Sequence, residues 1–240
     1  MFRKSDSFLA PVKAETTPAG VYDLYPAFEI GEQIFDRIEA LAERIAAHKC
    51  VVIDGYEGVL WDKFIGALTA ALESLGRKVT CLPVSRALKP EAEIDSLIAP
   101  FMGDKDSIFG RMTDLLLIDF FDRAALKELE PDAAADITLL YGCGAALAGW
   151  EAPLIYVDLP KNELQFRMAA GSAFNLGTTR RLDGRESYKR CYFIDWPILD
   201  AWKGSLISRI DWIVDEQRID VWTFMSGEAL REGLRRMSRS

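Results

Sequence analysis

The run CVVIDGYEGVLWDKFIG, Cys50 to Gly66, limits what this chain can fold into more than any other stretch. Cys50 to Ile53 form a short, largely β-branched apolar run, Asp54 and Gly55 break it, Gly58 follows, and from Leu60 the apolar spacing becomes helical. This is the pattern of a strand, a glycine loop and a helix. In α/β proteins that unit sets a loop and a helix N-terminus at the carboxyl edge of a parallel sheet, where backbone amides and the helix dipole favour phosphate. A phosphate-binding loop of the form G-x-x-x-x-G-K-[ST] is not completed here. Counted from Gly55, the second glycine falls on Leu60, the lysine on Trp61 and the hydroxyl on Asp62.

The chain has 240 residues, half of them hydrophobic, enough to bury a full core. A net charge of −8 argues against nucleic acid or an anionic membrane as the main partner, because a polyanion is repelled at long range. No apolar run reaches the roughly 18–20 residues of a membrane span. The N-terminal MFRKSDSFLAPVK lacks the apolar centre of a secretory signal, so a cytoplasmic location is expected. Cys50, Cys81, Cys143 and Cys191 are far apart and read as reduced core thiols, with no metal and no cofactor expected.

In chain order, a polar leader, Met1 to Gly31, carries Tyr22, Tyr25 and Phe28. The spacing of Ile34, Phe35, Ile38, Leu41, Ala42 and Ile45 predicts an amphipathic helix over Glu32 to His48. The central helix is expected from Trp61 to Leu75, then a strand at Lys78 to Pro83, forming a βαβ unit with the first strand. A charged helix at Pro90 to Leu97 leads through a polar loop to Leu115–Ile118, which reads as a strand or a buried helical segment. Strands follow at Ile137–Tyr141 and Leu154–Val157, a helix at Lys161–Ala170, and a basic loop at Thr178–Arg190. The last fifty residues alternate: strand Cys191–Ile194, helix Ile198–Leu206, strands Ile210–Val214 and Val221–Phe224, then a basic helix from Gly227. The expectation is an α/β fold with a doubly wound, mostly parallel sheet and flanking helices. It is read as a single domain over 1–240, with leader and helix at 1–48, core at 49–171 and an α/β extension at 172–240.

From Val51 to Gly171 the chain resembles the uridine-kinase-like branch of P-loop nucleoside kinases. The resemblance rests on VVIDGYEG, VTCLPVS, ITLLYGCGAAL and PLIYVDLPKNELQFRMAAG. It implies a P-loop nucleoside-kinase-like fold and makes Arg167 a lid arginine. The same likeness puts Trp61 and Asp62 in the lysine and magnesium-hydroxyl positions, Tyr141 in an acidic one, and Ser85–Ala87 where a general base belongs. Phosphoryl transfer depends on positioned cations, so these losses imply a pseudokinase. The strings Phe109–Thr113, Asn175–Gly177, Tyr188–Arg190 and Phe193–Trp196 resemble the N-terminal domain of class I mannose-6-phosphate isomerase-like proteins, in which a kinase-like domain precedes a cupin. With His48 the only histidine, isomerase activity is not expected of this chain alone.

Gly55, Tyr56, Glu57, Gly58 and Trp61 are the ligand-binding candidates at the loop. Arg111, Arg167, Lys189, Arg190 and Asp195 are those from the basic and acidic strings, since guanidinium groups match phosphate oxygens. Arg180 and Arg181 belong to the same basic group. Trp196, Trp202, Trp212 and Trp222 fit either a sugar-stacking cleft, a docking surface or core packing. Three readings stay open: a pseudokinase that binds a sugar phosphate or nucleotide or docks a cupin, an atypical kinase, and a structural partner domain. The atypical kinase would use Asp54, Glu57 or Asp62 for Mg²⁺ and Arg111 or Lys189 for the missing lysine.

Overall fold

The computed structural model describes residues 17–23 and 30–238. Of the leader aromatics, Tyr25 and Phe28 lie outside the described residues. Helix α1 (Ile38–Ile45) leads into β1 (Cys50–Gly55), α2 (Trp61–Ser74), β2 (Val79–Pro83), α3 (Glu91–Met102) and α4 (Arg123–Lys127). Then come β3 (Ile137–Tyr141), β4 (Leu154–Asp158), α5 (Lys161–Ala170), α6 (Gly184–Arg190), α7 (Trp196–Leu206), β5 (Trp212–Arg218), β6 (Val221–Ser226) and α8 (Gly227–Met237).

The six strands form one sheet in the order β2-β3-β1-β4-β5-β6, parallel throughout except for the antiparallel β5–β6 hairpin. The α/β class and the mostly parallel sheet with flanking helices are therefore as the sequence predicts. Strand β1 lies in the interior, with Val52 opposite Leu140 on one side and Leu154 on the other. Its unbroken burial over Val51–Gly55 explains why its sequence is a continuous apolar run with no alternation. The loop after β1 consequently opens between the carboxyl ends of β3 and β4. The β1–α2–β2 crossover spans two strand positions, because β3 inserts between β1 and β2.

Three local expectations are corrected and one is narrowed. The first helix starts only at Ile38, because Phe35 instead exchanges backbone hydrogen bonds with Phe224 and stacks on its ring at 4.9 Å. Of the two readings open for Leu115–Ile118, the strand is ruled out and the helical one is nearer: a single 3₁₀ turn, Leu117–Phe120, stands there, with Asp119 accepting the Leu116 amide. The basic loop is half helix, since Asp183 accepts the Arg185 and Glu186 amides and starts α6. Cys191–Ile194 belongs to a π-helical turn, Cys191–Asp195, that joins α6 to α7. Pro197 accounts for that turn: it has no amide to offer the carbonyl of Phe193, which accepts the Thr113 amide at 3.0 Å instead.

The tryptophans serve packing more than any shared cleft. Trp222 meets Phe64 edge-on, Trp212 meets Phe224 edge-on, and Trp202 turns its indole N–H inward. Among the described residues no helix is long and apolar enough to cross a membrane.

Candidate functional site

Asp54, the last side chain before the glycine loop, is fully buried and organises the carboxyl edge. Its carboxylate accepts the amides of Gly55 (2.7 Å), Gly144 (2.9 Å) and Ala146 (2.9 Å) and the indole of Trp202 (3.1 Å). One carboxylate thus ties β1 to the turn after β3 and to α7. Burial raises its pKa to about 6 against the pull of those four donors.

The loop is filled from within. Gly55 is required by close approach, for a Cβ there would lie 2.6 Å from the Val157 carbonyl oxygen and 3.0 Å from the Trp61 ring. Trp61, in the first turn of α2, covers Gly55 and tilts against Tyr141 with 5.9 Å between centroids. The Tyr56 amide bonds the Val157 carbonyl at 3.0 Å. Arg167, 3% exposed, donates to the Gly58 carbonyl (2.8 Å), to Glu163 (3.0 Å) and to both the carboxylate and the carbonyl of Glu216. The Glu216 carboxylate also faces the Leu60 amide at the start of α2. Burial lifts its pKa to about 7, while Arg167 and Leu60 favour its ionised form. An internal carboxylate thus stands at the helix N-terminus, where a bound anion would be favoured.

The remaining predicted residues divide among three places. The Tyr56 hydroxyl donates to Asp200 at 2.8 Å and points into a cleft of about 760 Å³ at the carboxyl ends of β4 and β5. Lys161, Lys203 and Arg218 line it together with Asp158, Asp200 and Asp215. Lys161 pairs with Asp200 at 2.6 Å and Lys203 with Asp158. Glu57, Arg190 and Asp195 meet in the interior. Arg190 donates to Asp195 (3.4 Å) and to the Leu176 carbonyl, and Asn175 donates to Asp195 at 2.7 Å. Burial and the nearby Asp195 charge push the Glu57 carboxyl well above its usual range, opposed by Arg190, the Trp196 indole and the Leu176 amide. Asp195 is likewise raised by burial, with Arg190 and Asn175 opposing.

Lys189 and Arg190 also border a second cleft of about 570 Å³ between α3, the loop after it, and α6. Lys105, Arg180 and Arg185 complete its cations, against Asp95, Asp183 and Glu186. Arg180 bridges Glu91 (2.9 Å) and Asp95 (3.2 Å) while remaining half exposed, and Lys189 donates to the Asp104 carbonyl at 2.9 Å. The basic string is thus gathered only in part. Arg111 lies apart, its guanidinium 4.9 Å above the Phe101 ring, and Arg181 bonds the Ala169 carbonyl.

Several residues that shape these sites were not singled out from sequence. Glu163 and Glu216 gave no signal, being single polar residues in otherwise ordinary segments, and Asn175 stood out only as part of the string Asn175–Gly177. Asp158 and Lys161 did leave one, because the D-L-P-K string directly follows the strand LIYV.

The fold and the polar edge define a mixed α/β protein with a glycine loop at the centre of its sheet. Residues 37–239 match the family model "Domain of unknown function (DUF8485)", and the chain belongs to that family. No curated protein matches it. Among 24 matching chains of solved structures is the crystal structure of a "putative fructose transport system kinase" from Silicibacter sp. TM1040. It is 14% identical over 70% of this chain and 94% of that one, with a TM-score of 0.45, a likeness that says nothing about activity. The resemblance to mannose-6-phosphate isomerase-like proteins gains no support from these matches.

Proposed function

We propose that this chain is a degenerate kinase-like domain that binds a small phosphorylated ligand, a sugar phosphate above all, without transferring its phosphoryl group. The observation that carries the reading is the gathering of five cations, Lys105, Arg180, Arg185, Lys189 and Arg190, around the α3–α6 cleft of a chain whose net charge is −8. Glu91 and Asp195 offset part of this charge, but the ion pairs of Arg180 are exposed and exchangeable, and Arg180 and Arg185, both exposed, present the guanidinium geometry that phosphate oxygens match. The loss of transfer chemistry is supported by the glycine loop. The Gly55 and Tyr56 amides are taken by Asp54 and Val157, the Glu216 carboxylate faces the α2 N-terminus, and Trp61 covers Gly55.

A second reading, an atypical sugar or nucleoside kinase, is favoured by the larger cleft, where three aspartates and three cations meet at the carboxyl ends of β4 and β5. Calorimetry with hexose phosphates and nucleotides, each with and without Mg²⁺, separates the two. The expected result is Mg²⁺-independent binding of a hexose phosphate that weakens at least tenfold in the double variant Arg180→Ala, Arg185→Ala. Mg²⁺-dependent nucleotide binding with phosphoryl transfer, lost in Lys203→Ala, would establish the kinase instead. No binding of any of these ligands would sink both readings.

A further inference from the structure

Behind the glycine loop lies a feature that neither cleft uses. Glu57, Cys191 and Asp195 are all buried, and each presents one oxygen or sulfur atom to a common point, the three lying within 4.8 Å of one another. Glu57 comes from the loop, while Cys191 and Asp195 open and close the π-helical turn. Such turns concentrate at functional sites. From this geometry we infer a divalent metal site, Glu57–Cys191–Asp195, suited to a borderline ion such as Zn²⁺.

Three observations support the ion. First, Glu57 is 4% exposed and neither of its carboxylate oxygens completes a hydrogen bond, although the Trp196 indole and the Leu176 amide face it, a costly arrangement for a polar group in the core. An ion at the common point would use the gap, since Zn–O and Zn–S bonds of about 2.0–2.3 Å call for a contraction of only about 1 Å.

Second, the charges balance. Two carboxylates and a thiolate, together with Arg190 at 3.4 Å from Asp195, sum to −2, which one divalent cation neutralises. Third, the surrounding donors hold the ligands in place: Asn175 Nδ2 donates to Asp195 at 2.7 Å and to Cys191 Sγ at 3.3 Å, and Asn175 Oδ1 accepts from Ser187 at 3.0 Å. Outer partners of this kind fix ligand orientation in metal sites. An entry path exists, for a cleft of about 360 Å³ between α5 and α6 is lined by Cys191 together with Met168, Ser187 and Tyr192. Cysteine with two carboxylates favours Zn²⁺ or Co²⁺ over Mg²⁺ or Ca²⁺, which prefer oxygen alone.

The test is Co²⁺ titration of the full chain after chelator treatment, followed by the thiolate-to-cobalt absorption band, with metal content measured in parallel. The expected result is one equivalent bound and a band that Cys191→Ser abolishes and Cys143→Ser leaves unchanged. Zn²⁺ should raise the melting temperature of the wild type, and Glu57→Gln should weaken binding at least tenfold and remove that rise. Because Glu57→Gln keeps the shape of a protonated carboxyl, it remains informative if Cys191→Ser fails to fold. No stoichiometric metal in the wild type, a band that survives Cys191→Ser, or an unaltered Zn²⁺ response in Glu57→Gln would each overturn the site.

Discussion

Arg167 and Arg180 show how differently this protein uses one residue type in two regions. Arg167 is 3% exposed and joins the glycine loop to α5 and β5 through Gly58, Glu163 and Glu216. Arg180 has half its side chain in solvent and pairs with Glu91 and Asp95 at the rim of the basic cleft. A guanidinium in the first setting is committed to the fold. In the second it pairs in high dielectric, where each interaction is worth little and can be exchanged for a ligand. The lesson is that a cation beside a glycine loop need not mark where a ligand goes.

That contrast can be broken most decisively at Arg167. Replacement by methionine removes the guanidinium that the buried Glu163 and Glu216 share, and removal of one partner from such a group costs about 3–5 kcal/mol. Urea unfolding should record a loss of that size. A change below about 1 kcal/mol would show that the loop is not locked by this arginine.

The pH dependence comes next. Asp54, with a pKa raised from 3.8 to about 6, and Glu216, raised from 4.5 to about 7, hold their protons to higher pH when folded than when unfolded. Over that interval the folded state binds more protons. The stability they contribute is therefore full below the unfolded values and is lost as pH rises through the folded ones. Unfolding free energy should accordingly fall between pH 4 and 7, by about 3 kcal/mol for each group at 1.36 kcal/mol per unit. In Asp54→Asn the slope below pH 4.5 should vanish and that between pH 4.5 and 6 should fall by about half, leaving the Glu216 part.

Gly58→Ala sharpens the comparison further. The glycine has φ +86°, and a Cβ would lie 2.4 Å from Leu164 Cδ1, so the variant should lose about 1–2 kcal/mol in thermal or urea unfolding. Arg180→Ala should give the smallest effect, within about 1 kcal/mol, because its ion pairs are exposed. A larger loss there would make Arg180 a structural residue like Arg167.

Much of the fold was legible in the sequence. The run Val51–Ile53, the break at Asp54–Gly55 and the helical spacing after Leu60 marked the buried strand, the turn and α2, since each depends on local chemistry and period. Ile137–Tyr141 and Lys161–Ala170 were read with the bounds they have. Strand β5 was harder. Its second half, Asp215–Arg218, is polar and reads as a loop, yet it continues the strand in which Glu216 becomes the partner of Arg167. The π-helical turn was read as a strand because Cys191–Ile194 is a short apolar run, and such runs carry no period of their own.

The sequence by itself determined the alternation of strands and helices, the absence of the phosphate-loop lysine and hydroxyl, and the acidic balance of the chain. These are properties of single residues and of spacings along one segment. Only the tertiary structure decided that β3 lies between β1 and β2, that Glu216 faces the start of α2, and that Glu57 meets Cys191 and Asp195. Those pairings join residues from 58 to 156 positions apart. The physical reason is that burial and neighbouring groups, not residue type, determine whether a carboxylate accepts loop amides, as Asp54 does, pairs with an arginine, as Glu216 does, or lies buried beside a cysteine and a second carboxylate, as Glu57 does.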